Sequence, residues 1–77
     1  MPDQPPEPLA TIGARIREHR NAHGWTQEQL AEASDLHWSF VSQVERGQRN
    51  LTTRSLLKIA AGLGVDPADL VRGLKPW

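Results

Sequence analysis

Residues 26–47 read TQEQLAEASDLHWSFVSQVERG, and this stretch decides the fold. It opens on Thr26, whose hydroxyl suits a helix N-cap, with Glu28 and Gln29 close behind in an approximate capping box. Leu30, Ala31 and Ala33 then give a buried stripe barely two turns long. Ser34-Asp35-Leu36 reads as a turn, because Ser and Asp compete for backbone hydrogen bonds and Asp tolerates the left-handed conformation better than most residues. A second short helix follows, from about His37 to Arg46. Its inward positions are Phe40, Val41 and Val44, and Gly47 is suited to a left-handed C-cap. Two very short helices joined by a three-residue turn, the second polar on one face, fit a helix-turn-helix whose second helix enters the major groove of a duplex.

Upstream, Leu9, Ile12 and Ile16, then His19 and Ala22 or His23, recur at three- and four-residue steps until Gly24 ends the helix. Downstream of the polar loop from Gln48 to Leu51, Thr52 or Thr53 caps a helix with the stripe Leu56, Leu57, Ile59, Ala60 and Leu63, closed by Gly62 and Gly64. Asp66-Pro67 starts a last helix through Ala68, Leu70 and Val71, ending before Gly73. The expectation is an all-α domain of five helices over residues 9–73. Residues 1–8, with four prolines and no apolar cluster, read as a disordered arm. Residues 74–77 read as a short tail.

Seventy-seven residues, 38% hydrophobic and 23% charged, hold one modest core and no second domain, which counts against a two-domain enzyme. The absence of cysteine removes disulfides, thiolate metal sites and cysteine nucleophiles, and fits a reducing cytoplasm. No run approaches the ~18 apolar residues of a membrane span. His19, His23 and His37 are spaced without a third nearby ligand or carboxylate support, so no metal is expected. No nucleophile stands with a matched base and no glycine-rich loop is present, so neither catalysis nor a cofactor is expected. The nine basic and nine acidic residues cancel, but not locally. Arg46, Arg49, Arg54 and Lys58 follow one another with no acid between them, which in so small a domain makes a one-sided positive surface.

That surface adjoins the second helix of the turn motif. With Phe40, Val41 and Val44 inward, His37, Trp38, Ser39, Ser42 and Gln43 lie on the open face or at its N-terminal end. Gln43 can grip adenine with two hydrogen bonds, Ser39 and Ser42 can bond either kind of base edge, and Trp38 can lie against a thymine methyl or a sugar.

The pieces Thr26-Gln27-Glu28-Gln29-Leu30-Ala31, Val44-Glu45-Arg46-Gly47 and Ile59-Ala60 through Leu63-Gly64-Val65 make the chain resemble the Xre family of phage-repressor and Cro-like helix-turn-helix proteins. Within it, small stand-alone regulators such as restriction-modification controller proteins look most similar, because Glu45-Arg46-Gly47 runs into Arg49-Asn50 and a hydroxyl-rich helix start. The resemblance implies a repressor-like fold and sequence-specific binding of double-stranded DNA. It implies Trp38, Ser39, Ser42 and Gln43 as the base-reading set. It places Thr26, Gln27, His37, Arg46, Arg49, Asn50 and Thr52 on the DNA backbone, with Gln27 as a phosphate clamp at a helix N-terminus. Arg20 and Glu45 match positions that form a partly buried ion pair. Asp35 stands where the family usually has glycine, implying strain in the turn, and His19 where it usually has leucine.

A single module of this size reads few base pairs, so a homodimer on a palindromic operator is expected. Val65, Leu70, Val71, Leu74 and Trp77 supply more apolar surface than a short terminal helix hides, and are the expected seam. The alternative reading is a protein-interaction module, such as an antitoxin, on the same scaffold.

Overall fold

A capping box starts the second helix of the domain, α2, Gln27–Ser34. Thr26 Oγ1 accepts from the Gln29 backbone N–H at 3.2 Å, and Gln29 Oε1 accepts from the Thr26 N–H at 2.8 Å. The computed structural model describes residues 7–76, and the local chemistry of the chain accounts for each element in it. The first helix, α1, spans Leu9–Ala22. The third helix, α3, spans Trp38–Glu45, with His37 outside it as its N-cap. A second capping box starts α4, Thr53–Leu63: Thr52 is the cap, and its hydroxyl accepts from the Ser55 N–H at 3.0 Å. The last helix, α5, Ala68–Val71, is a single turn behind Pro67, with the Asp66 carboxylate accepting from the Ala68 N–H at 2.9 Å. Five helices and no strand make up the described residues, as the sequence predicts.

Between α2 and α3 the chain turns on Asp35, which adopts φ 56° and ψ 48°. Its N–H bonds to Glu32 O at 3.2 Å and the Leu36 N–H to Ala31 O at 2.9 Å, the paired closure of a helix ending on a left-handed residue. Aspartate therefore does the work glycine usually does here, at a modest conformational cost. Lys58 Nζ reaches over from α4 to the Asp35 carbonyl at 3.4 Å and its carboxylate at 3.6 Å.

The core is Ile16, Leu30, Val41, Val44, Ile59, Leu63 and Leu70, with Trp25, Phe40 and Leu51 packed against it. α2 lies on α4 and α1 on α3. At α2 and α4 the two helices approach where Ser34 faces Gly62. The far ends of α1 and α4 are tied by His23, whose Nε2–H donates to Leu63 O at 2.7 Å while its ring stacks on Trp25 at 4.2 Å.

Three expectations are corrected. Leu70, expected in a dimer seam, is 0% exposed and belongs to the core of its own domain, because a one-turn helix turns its only large central side chain inward. Leu57, expected in the buried stripe of α4, is 50% exposed; Leu56 and Ile59 take the inward face. On α2, Ala33 is exposed and Ser34 buried. Trp77 and most of the proposed arm at residues 1–8 fall outside the described residues. No helix among the described residues is long and apolar enough to cross a membrane.

Candidate nucleic-acid interface

The open face of α3 is built by what it excludes. Val41 and Val44 go to the core, and Glu45, the acid of this helix, turns completely inward. Its side chain is 0% exposed. Arg20, 13% exposed, meets it with Nε to Oε2 at 2.7 Å and Nη2 to Oε1 at 3.0 Å. Gln27 Nε2 donates to Oε1 at 3.1 Å and Arg17 Nε at 3.4 Å. Arg20 also donates to Trp25 O at 2.8 Å, so one guanidinium ties α1, the α1–α2 loop and α3 together. Burial pushes the Glu45 carboxyl up, but hydrogen bonds from Arg20 and Gln27, the Arg20 charge and the Arg17 bond prevail and hold it below the ordinary value. The same partnership raises the Arg20 guanidinium.

The ion pair between Arg20 and Glu45 is thus present where the resemblance implies it, with two partners the sequence reading missed. Arg17 stands one turn before Arg20, the spacing of a shared helix face, and was the available signal. Drawing Arg20 onto a buried acid takes it out of any exposed basic surface, whereas Arg17 reaches the same acid from a position 49% exposed. Among the described residues, Arg46, Arg49 and Arg54 have no carboxylate within ion-pair distance.

Of the residues expected to read bases, Trp38 is 51% exposed at the first position of α3. Ser39, Ser42 and Gln43 are half-buried along the same helix. His37 precedes them as the cap: its Nδ1 accepts from the Ser39 N–H at 3.2 Å and from the Ser39 hydroxyl at 2.8 Å. A backbone N–H only donates, so Nδ1 is the unprotonated nitrogen, and the Ser39 oxygen is left as an outward acceptor. The His37 ring stacks against Trp38 at 6.3 Å. Arg49 folds back onto α3 and bonds Gln43, while Arg46 Nε donates to Ser42 O at 3.4 Å.

The residues expected on the DNA backbone divide. His37, Arg46, Arg49 and Asn50 are exposed. Thr26 and Thr52 are exposed but are first of all helix caps, and Gln27 is half-buried with one amide hydrogen on Glu45. Of the expected seam, Val71 is exposed and Val65 and Leu74 are half-buried.

Two short helices around a left-handed turn, the second presenting a polar face beside unpaired arginines, define a helix-turn-helix protein of the repressor-like class. The sequence profile of the helix-turn-helix family matches residues 16–70, and the chain belongs to that Xre-like family. It is 40% identical over 61 residues to the control protein C.BamHI of Bacillus amyloliquefaciens, covering 78% of this chain and 75% of that one. The crystal structure of the restriction-modification controller protein C.AhdI from Aeromonas hydrophila superimposes with a TM-score of 0.79 at 47% identity, covering 80% of this chain and 94% of that one. C.Esp1396I, solved bound to a 19 base pair DNA duplex, superimposes with a TM-score of 0.78 at 37% identity, covering 84% and 87%.

Proposed function

We propose that this chain is a sequence-specific DNA-binding transcriptional regulator of the controller type, acting in the cytoplasm as a homodimer on a palindromic operator, by binding and without catalysis. The observation that carries the reading is the division of charge on and around α3: its acid is buried against Arg20, while its polar edge and Arg46, Arg49 and Arg54 remain outward. A buried carboxylate cannot repel phosphate, and outward guanidinium groups attract it. The relatives, control and controller proteins together with one solved on a duplex, support the same reading.

In this proposal α3 enters the major groove with Trp38, Ser39, Ser42 and Gln43 toward base edges. Thr26, the second amide hydrogen of Gln27, His37, Arg46, Asn50 and Thr52 line the sugar-phosphate walls. The DNA-binding unit is assigned to residues 9–73. A mobility shift on the DNA upstream of its own gene should show a complex that weakens steeply with salt. Arg46→Ala should weaken binding to all sequences alike and flatten the salt slope by about 0.9, the counterion release of one phosphate. A chain that retains no duplex at low salt is an interaction module instead.

The dimer rests on geometry of another kind. Leu57 on α4 and Val71 on α5 remain exposed in the single domain, and a two-fold axis can cover such patches by bringing one surface to its own copy. Two reading helices then sit about ten base pairs apart along one face of the duplex. Val71→Asp, at a position outside the core, should shift the protein to monomer in sedimentation at micromolar concentration while its helicity is retained. Leu74→Asp is the companion variant. If both stay dimeric, the seam lies elsewhere.

A further inference from the structure

On the open face of α3, Gln43 stands one turn beyond Ser39, and the loop after Gly47 brings Arg49 back against it. Arg49 Nη1 donates to Gln43 Oε1 at 3.0 Å. The guanidinium carbon lies 5.3 Å from the centroid of the Phe40 ring, within the range in which an aromatic face attracts a cation. The arginine is therefore held from two directions, by an acceptor and by a ring, although it is six residues away along a polar loop.

Arginine has only donors, so the orientation of the Gln43 amide follows: its carbonyl faces Arg49 and its NH2 faces away. Reading adenine requires the carbonyl and the amine of a glutamine together, one accepting from N6 and the other donating to N7. Here the carbonyl already accepts from a cation. A guanidinium at 3.0 Å also opposes the approach of a second donor, such as the adenine N6 amine, to the remaining lone pair. Outward, the pair offers donors alone: the Gln43 Nε2 hydrogens and those Arg49 N–H groups that Gln43 does not engage. Guanine is the purine whose major-groove edge presents two acceptors, N7 and O6.

Resting on the DNA-binding reading above, we propose that Gln43 and Arg49 form one guanine-reading unit, in which Gln43 holds the guanidinium in register and Phe40 supports its plane. Arg49 then reads a base edge and does not serve as a phosphate anchor, and the adenine preference expected for Gln43 alone is replaced.

The test uses the unmodified protein and a library of random duplexes, from which bound sequences are recovered. The recovered palindrome should hold guanine at one position of each half-site. Replacing that guanine by 7-deazaguanine, which has C–H in place of N7, should weaken binding about tenfold or more. Hypoxanthine keeps N7 and O6 and lacks only the minor-groove amine, so it should bind within about twofold of guanine. Arg49→Lys keeps the charge but not the planar fork. Lysine can still donate to N7 or O6, so the guanine preference should weaken severalfold while the salt slope and the binding to random duplex are retained. Adenine at a position that Gln43→Ala relaxes, indifference to 7-deazaguanine, or full guanine preference in Arg49→Lys would each overturn the proposal while leaving DNA binding intact. Retention of no duplex at any salt would overturn the DNA-binding reading itself, and this proposal with it.

Discussion

Replacing Gly13 by alanine should destabilise the domain by about 2 kcal/mol or more, although alanine is the better helix former. Gly13 is buried in α1 where that helix crosses α3. A Cβ there would meet the Val44 carbonyl oxygen, and Glu45 O at 2.7 Å. Both are backbone atoms of a helix that also carries the Glu45 carboxylate, so neither side of the contact can yield by a rotamer change. Helix propensity favours alanine by about 1 kcal/mol, whereas forcing extra volume into a packed contact costs about 1 to 3 kcal/mol and more where backbone must move. The clash prevails. At roughly 0.1 kcal/mol per residue, a domain of this size has only several kcal/mol to lose, so the urea midpoint should fall clearly below that of the parent. A midpoint equal to or above that of the parent would show that α1 and α3 do not cross so closely.

Glu45→Gln should cost about 3 to 5 kcal/mol, because it removes one partner of a buried ion pair and leaves the other charged. Arg20 keeps its position through Trp25 O but loses its counter-charge. The new amide also brings N–H donors toward Arg17, Arg20 and Gln27, which are donors already. The pH dependence has a defined sign. The folded carboxyl titrates below the ordinary 4.5, so its contribution is present above that value and is lost as the pH falls through the lower, folded-state value. The parent should therefore lose stability progressively in acid below about pH 4.5, and Glu45→Gln should show a shallower decline over the same range. Comparing Glu45→Gln, Arg20→Met and the double variant by urea unfolding isolates the pair. Small, additive losses would place the interaction at the surface.

The two sites converge on one physical point: α3 is held by its backbone and by its acid on the same side. Gly13 lets α1 approach the Val44 and Glu45 carbonyls, and Arg17 and Arg20 from the same helix close on the Glu45 side chain. This inward fixation leaves the opposite edge of α3, with its polar side chains, outward.

Much of this was legible along the chain because its causes are local. Capping is a matter of four consecutive residues, so Thr26 with Glu28 and Gln29 close behind marks the start of α2, and Thr52 or Thr53 that of α4, without reference to anything distant. A left-handed turn needs a residue that tolerates positive φ, and Asp35 stands where one is needed. The turn length, the inward Val41 and Val44, and the family motifs then fix which helix faces outward, and Arg20 opposite Glu45 follows from the resemblance.

What only the tertiary structure decided lies where residues far apart meet or where an element is too short to have a period. One turn of α5 cannot define a face by spacing, so only packing could show that Leu70 is core and Val71 surface. Gly13 interrupts a helical pattern, a signal of close approach, but its opposing backbone, more than thirty residues later, is set by how α1 crosses α3. The same holds for Gln27 and Arg17 on Glu45, and for Arg49 against Gln43, whose meeting depends on the path of a polar loop. Local chemistry determined the helices and which of them turns a polar face outward. The three-dimensional meeting of donors and acceptors decided what the side chains of that face have left to offer a partner.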